Sequence, residues 1–314
     1  MKRARGFPFQ SPDQKGSRGR SMKTLAGRAF FPYLPDMRMR FAHAVFVGNT
    51  LARSLRVALG LCLLALPLVL GGCGEASSSK LVIGMELSYP PFDMTDEKGE
   101  PSGLEVDMAK ALGAALGREI QIENLPFEGL IPALKTGKIQ LIISAMTATA
   151  ERAKSIDFSD PYVNTGLALL VGKNSTIKSV DDLGRKGAVI AEKKGTTGHL
   201  YASSHFPQAS LLLEEKEDTC VLEVSQGKAD AFIYDQLSIF QQWQRHQDTT
   251  KALLKAFQKE SWAIGVRKGD DELRKKVNDF LADFRAKEGF ERLAIQYLPK
   301  EKEMLKQIGE PFIF

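Results

Sequence analysis

Cysteine is almost missing from these 314 residues: three occur, at positions 62, 73 and 220. That scarcity excludes a disulfide framework as the source of the fold's stability. Histidine is nearly as rare. The four, at 43, 199, 205 and 246, do not fall into the spacing of a metal site, so neither a metal nor a cofactor is expected. The chain lacks a G-x-S-x-G elbow, an H-E-x-x-H helix and a complete phosphate loop, since Gly172-Lys173-Asn174 has no upstream glycine spacing. Tryptophan occurs only twice; Trp262, like Tyr201, reads as packing. Long hydrophobic sequence is also scarce. The longest run, Val57 to Leu70, is short for a membrane span. No basic stripe offers itself to nucleic acid.

What flanks that run gives it a meaning. Arg53-Ser54-Leu55-Arg56 precedes it as a basic segment, and Leu70-Gly71-Gly72 follows with small residues directly before Cys73. Residues 51–72 therefore read as a secretory signal. The cysteine at the cleavage point resembles the lipobox of bacterial lipoproteins, in which the thiol is acylated. That implies a periplasmic or cell-surface chain anchored to the membrane through Cys73 rather than spanning it. Residues 1–50 are basic and rich in Pro, Gly and Ser, and they precede a signal that is already complete. They read as a non-structural extension or a misassigned start, with translation beginning at Met37 or Met39. Residues 1–72 carry 12 of the 43 Lys and Arg and 2 of the 38 Asp and Glu. The remainder holds 31 against 36, about −5, so the basic balance of the whole chain belongs to its leader.

From residue 73 a polar tether reaches to 80, and a fold then begins with the apolar strand Leu81-Val82-Ile83-Gly84. Pro90-Pro91 forbids helix and central strand alike, and Asp96 to Glu100 makes a charged hairpin tip. A helix follows Gly103 with Met108, Ala111, Leu112, Ala115 and Leu116 on one face. Ile120-Gln121-Ile122 is a strand, Leu130–Leu134 a short helix, and Ile139–Ile143 a buried central strand. This β-α-β-α-β order predicts a parallel sheet with crossover helices. After the strand Leu167–Val171 the pattern restarts. Strands at Ala188–Ala191, Leu211–Leu213 and Ala229–Tyr234 alternate with helices after Gly195, at Cys220–Gln226 and at Ser238–Gln244. Ser261–Val266 is a further strand, and a helix with Leu273, Val277, Phe280, Leu281 and Phe284 on one stripe follows it. Two α/β units joined by two strand-like connections predict a two-lobed architecture. Residues 81–168 plus 266–298 form the first lobe, 169–265 the second, and 299–314 a tail whose Phe312-Ile313-Phe314 end docks on the first lobe.

The central strand runs into Ser144-Ala145-Met146-Thr147-Ala148-Thr149-Ala150-Glu151-Arg152. Ligands of open α/β sheets collect at strand C-termini, and this loop offers three hydroxyls, close backbone approach and one arginine. An arginine's planar fork matches a carboxylate bidentately, although Arg152 could equally pair with Asp157 or Asp160 at the surface. In the second unit, Gly195-Thr196-Thr197 stands at a helix N-terminus, where unpaired N–H groups favour an anion. Asp235 closes the strand Ala229–Tyr234, at a helix N-cap position.

Gly103-Leu104-Glu105-Val106-Asp107-Met108, with Leu112, Gly113 and Leu116 after it, resembles the signature of polar amino-acid binding proteins, family 3 of the bacterial solute-binding proteins. Tyr89-Pro90-Pro91-Phe92, Leu130-Ile131-Pro132-Ala133-Leu134, Thr149-Ala150-Glu151-Arg152, Asp157-Phe158-Ser159-Asp160-Pro161-Tyr162 and Gly195-Thr196-Thr197 match in the same order, over about residues 80 to 298. The resemblance implies the two-lobed periplasmic-binding-protein fold of type II, with two hinge crossover strands and the ligand in the cleft between lobes. It implies that Arg152 takes the α-carboxylate of a free amino acid, helped by Thr147 and by N–H groups at Thr196 and Thr197. Asp235 would take the α-ammonium, with Thr147 and the Ala145 carbonyl, and Ser144 belongs to the same loop. Glu86, Tyr89, Phe127 and Lys193 would surround the side chain, the two aromatics as a sandwich.

Lys193 turned inward would neutralise Glu86 and suit an amide such as glutamine. Lys193 turned to solvent would leave Glu86 to a cationic side chain such as that of arginine, lysine or histidine. No second arginine is placed for an acidic ligand. The implied partners are the permease and ATPase subunits of an importer, with the receptor itself a monomer. Two other classes remain on the same fold: a prephenate or arogenate dehydratase, against which Asp235 argues because prephenate has no amine, and a ligand-sensing module. Mass spectrometry of membrane-extracted protein is expected to find diacylglycerol on Cys73; a soluble chain with an unmodified Cys73 would overturn the anchor.

Overall fold

The computed structural model describes residues 80–314; the leader, the signal, Cys73 and all of the tether but Lys80 lie outside the described residues. Strand β1 (Leu81–Met85) leads to a small hairpin sheet of β2 (Ser88–Tyr89), β3 (Asp93–Thr95) and β4 (Pro101–Ser102). Helix α1 (Leu104–Ala115), β5 (Ile120–Asn124), α2 (Phe127–Thr136), β6 (Leu141–Ile142) and the single turn α3 (Ala150–Ala153) follow. Then comes β7 (Asp157–Gly172), and after a capped 3-10 turn at Val180–Gly184 the second unit: β8 (Val189–Lys193), α4 (Thr197–His205), β9 (Ser210–Glu214), α5 (Glu217–Ser225), β10 (Ala231–Asp235) and α6 (Gln236–Arg245). The chain returns through β11 (Thr250–Val266) to α7 (Asp271–Ala286), α8 (Gly289–Tyr297) and α9 (Pro299–Gln307).

The main sheet has the order β5-β1-β6-β11-β7-β10-β8-β9. The expected parallel cores stand at its two ends: β1 pairs in parallel with β5 and β6, and β8 with β9 and β10. Between them β7 and β11 run antiparallel, from Asp157↔Val266 in the first lobe to Gly172↔Thr250 in the second. The fold is therefore a mixed α/β structure of two lobes sharing two long strands. The apolar runs at 167–171 and 261–266 are segments of these strands. The lobe boundaries expected at 168/169 and 265/266 fall inside them.

Side-chain alternation along each strand builds the cores. Leu167, Leu169 and Val171 join Ile190, Ile233 and Ala202 on one face of the second lobe, while Ala168 and Leu170 join Phe232, Cys220 and Val224 on the other. In the first lobe Leu81, Ile83 and Met85 face Met108 and Leu112 of α1, and Ile142 faces Leu130 and Leu134 of α2. The segment 299–314 is more than a tail. It opens with α9, and Ile313 is buried in the first lobe's core with Phe314 stacked on Phe290 at 4.9 Å. Its Ile313 carbonyl accepts the Asn164 N–H (2.7 Å), beside the point where the strands cross between lobes.

Gly103, the first residue of the signature, caps α1 with φ +122° and ψ 175°, a region that is essentially glycine-only. A Cβ there would lie 2.4 Å from the Phe92 carbonyl oxygen and 2.9 Å from that of Pro91. Gly103→Ala is expected to cost about 2 kcal/mol or more of stability. Urea unfolding checks this, and an unchanged midpoint would contradict it.

Candidate functional site

The loop after β6 is held from behind by carboxylates. Ser144 Oγ donates to Asp93 (2.5 Å) and accepts the Glu86 N–H (2.9 Å). Ala145 sits at φ +46°, a conformation few non-glycine residues adopt, and donates its N–H to both Glu105 oxygens (3.1 and 3.0 Å). Tyr162 donates to the same carboxylate. Glu105, the acid of the signature, thus shapes the loop. Burial pushes its carboxyl up to about 7, and burial raises that of Asp93 as well.

Thr149 caps α3 by accepting the Arg152 N–H (3.1 Å), which aims the Arg152 side chain inward. The guanidinium is buried and donates to the carbonyls of Thr147 (2.8 Å) and Gly195 (3.0 Å), the second across the cleft, with Phe127's ring 5.3 Å away. Burial lowers its pKa to about 10 against the opposing pull of Glu260; it remains a cation. The surface pairing with Asp157 or Asp160 is not what forms: Asp157 pairs with Lys268.

Helix α4 begins at Thr197 with Thr196 as its N-cap, accepting the His199 N–H. The Thr196 N–H is already given to the Lys193 carbonyl (3.3 Å). Of the two expected amides it is Thr197, the first helical residue, that has no intrahelical acceptor. Gly198 lets this end sit against β10, since a Cβ would be 2.2 Å from the Ile233 carbonyl oxygen. Asp235 divides its carboxylate. Oδ1 accepts the N–H groups of Leu237 and Ser238 as the cap of α6, and Oδ2 accepts the Tyr89 hydroxyl (2.5 Å). Burial raises Asp235 to about 7, with the Tyr89 bond pulling the other way.

Lys193 is turned inward. It is 2% exposed, pairs with Glu86 and lies 5.7 Å from the Phe127 ring. Glu86, Tyr89, Phe127, Ser144, Ala145, Thr147, Arg152, Thr196, Thr197 and Asp235 line one cavity. Lys193 stands behind Glu86 rather than in the lining. The aromatic sandwich takes another form: Tyr89 is buried against Phe92 and Trp262 and tied to Asp235, and Phe127 faces two cations.

Three lining residues were not anticipated: Tyr234, Glu260 and Trp262. Trp262 does pack, edge-on to Phe92 at 5.0 Å, but it also walls the cavity. Tyr234 immediately precedes Asp235, so the end of β10 was its signal. Glu260 lies just before the apolar run that marks β11, where a polar residue reads as solvent-facing. It is instead buried, and its Oε2 accepts the hydroxyls of Thr147 and Thr197, each at 3.0 Å. Among the described residues no group of three or more His, Cys, Asp or Glu is arranged to hold a metal, and no helix is long and apolar enough to cross a membrane.

Comparison with known proteins agrees with this fold. The model of the bacterial extracellular solute-binding proteins, family 3, matches residues 81–300. The L-cystine-binding protein TcyJ of Escherichia coli (strain K12) is 30% identical over 205 residues, 65% of this chain and 76% of that protein. The crystal structure of AncCDT-1, an ancestral amino acid-binding protein and precursor of cyclohexadienyl dehydratase, superimposes with a TM-score of 0.65 at 33% identity, covering 69% of this chain and 95% of its own. Structures of an ancestral arginine-binding protein, one bound to arginine and one to glutamine, each give a TM-score of 0.66 at 31% identity, covering 70% of this chain and 98% of theirs. The chain belongs to family 3 of the bacterial extracellular solute-binding proteins.

The buried carboxyls give the ligand-free protein a definite pH response. A folded carboxyl held at about 7 keeps a proton that the unfolded chain releases near 3.8 to 4.5. The folded state therefore binds more protons between about pH 4.5 and 7, and stability falls as pH rises through that window. The thermal midpoint is expected to be roughly 5 °C or more lower at pH 7.5 than at pH 5, and Glu105→Gln to flatten the slope. A midpoint that rises over this range would contradict the burial of these groups.

Proposed function

We propose that this family 3 member is the extracytoplasmic receptor of an ATP-driven amino-acid importer and binds a polar L-α-amino acid of the glutamine type. The observation that carries the side-chain preference is the inward Lys193 paired with Glu86. Lys193, behind Glu86, balances its charge and leaves Glu86 on the cavity wall as an acceptor for a neutral amide NH₂. A cationic side chain would have to share Glu86 with the Lys193 ammonium already paired to it. The names of the relatives, which include binders of cystine, arginine and glutamine, support an amino acid as the ligand class.

In this reading Arg152 and the Thr197 N–H take the α-carboxylate and Asp235 takes the α-ammonium. Arg152 belongs to the first lobe and Asp235 to the second, so the zwitterion's two ends favour opposite walls of the cleft. Binding then shifts the lobes toward the closed state, which the permease and ATPase subunits recognise. The chain is read as a monomeric binding protein rather than an enzyme, without cofactor. It is held at the membrane by acylated Cys73 after removal of the signal at 51–72.

Calorimetric titration of residues 74–314 with each of the twenty amino acids, after unfolding and refolding to strip resident ligand, tests the reading. Glutamine is expected to bind with a Kd near or below about 1 µM, roughly −8 kcal/mol. Tight binding of arginine, lysine or histidine in its place would overturn the amide preference and keep the receptor. Silence toward all twenty, with turnover of prephenate, would favour the dehydratase. Arg152→Ala should weaken binding by about 2–5 kcal/mol, as for one partner removed from a buried charge pair. Affinity preserved within about threefold, less than 1 kcal/mol, would remove Arg152 from the carboxylate site.

A further inference from the structure

Glu260 has no place in that scheme, yet the two threonines closest to it do. We infer that Glu260 is a positioning residue that turns Thr147 and Thr197 into acceptors and so makes the cavity selective for the α-ammonium. The inference rests on the reading of this cavity as an amino-acid site.

A threonine hydroxyl has one proton and two lone pairs, and a carboxylate only accepts. Thr147 Oγ1 and Thr197 Oγ1 each lie 3.0 Å from the same Glu260 Oε2, so both protons are committed to Glu260. Its other oxygen is occupied as well, by the Gln258 amide at 3.1 Å. The threonine oxygens can then offer the cavity lone pairs alone. Neither can donate to a ligand carboxylate, which is left to Arg152 and the Thr197 N–H. Thr147, expected at both ends of the ligand, belongs at the ammonium end. Burial strengthens the constraint, because Glu260, Thr147 and Thr197 are all at least nine-tenths buried and hydrogen bonds are electrostatically stronger where the local dielectric is low.

Position adds a second consequence. Glu260 is on β11, Thr147 follows β6 of the first lobe, and Thr197 opens α4 of the second. One carboxylate oxygen thus orders one hydroxyl from each lobe, and both receive their polarity only when the lobes stand as close as they do here.

Glu260→Gln tests this, because an amide NH₂ in the place of Oε2, which both threonines share, would release both hydroxyl protons toward the cavity. The probes are L-glutamine and its des-amino analogue 4-carbamoylbutanoate, or L-arginine and 5-guanidinopentanoate if the titration selects arginine. The ratio of the two Kd values measures selection for the ammonium. In Glu260→Gln that ratio is expected to shrink about tenfold or more, most of it from weaker amino-acid binding. Thr147→Val should shrink it likewise, and Thr147→Ser should restore it. A purely structural Glu260 would weaken both probes equally, and an unchanged ratio in a folded Glu260→Gln with wild-type binding intact would overturn the inference alone. Failure of the wild-type chain to bind any amino acid would overturn the underlying reading and this inference with it. If Glu260→Gln does not fold, the two Thr147 variants decide the matter by the same ratio.

Discussion

The antiparallel pairing of β7 with β11 is the constraint on which both lobes depend. Parallel strands need crossover helices and so build outward from one edge; each unit here does so, away from the shared pair. Because the two long strands hydrogen-bond along most of their length, each lobe inherits its sheet direction from the same ladder. The register slips between Leu253 and Gln258 and again between Trp262 and Gly265, and such bulges bend and twist a strand locally. They bracket the segment carrying Glu260 and Trp262, which is how residues of a connecting strand come to face the cavity.

Around that ladder the molecule buries several carboxyl groups. Glu105 and Asp93 lie under the Ser144–Ala145 loop, and Glu192 and Glu217 lie in the second lobe, with burial raising the pKa of each. Burying an ionised group costs far more than burying a neutral one. In the ligand-free protein these carboxyls shift toward the neutral form instead. Those that touch the backbone do the shaping: Glu105 through the Ala145 N–H, and Asp235 through the first N–H groups of α6. The geometry of the Ser144–Ala145 loop that a ligand would meet is therefore set by Glu105 and Asp93, which lie outside the cavity lining.

The sequence revealed what strand ends and helix starts reveal. Arg152, Asp235 and Gly195-Thr196-Thr197 were legible because apolar runs of strand length point at them, and the α/β alternation gave both lobes. The extent of β7 was not legible, since Pro161, Asn164 and Thr165 interrupt its hydrophobic pattern while the ladder continues through them. Helices α8 and α9 escaped for the opposite reason. Their apolar stripes, Phe290, Leu293 and Ala294 and then Met304 and Leu305, are too short to establish a period on their own. The direction of Lys193 depended on a partner 107 residues away, and the burial of Glu260 depended on hydroxyls from both lobes. Neither is a local property.

The polar contacts across the cleft share one feature that ties recognition to motion. Arg152 reaches the Gly195 carbonyl, Tyr89 reaches Asp235, Lys193 reaches Glu86, and Glu260 holds Thr147 with Thr197. Each joins one lobe to the other or to the shared strands. In all four at least one partner is a group that the proposed ligand would engage. An amino acid entering this cavity therefore exchanges contacts rather than only adding them: its ammonium competes with the Tyr89 hydroxyl for Asp235, and its amide competes within the Lys193–Glu86 pair. The net gain on binding is the difference between two well-bonded states. That difference is what allows the cleft to discriminate, because a ligand missing one group leaves a buried charge without a partner.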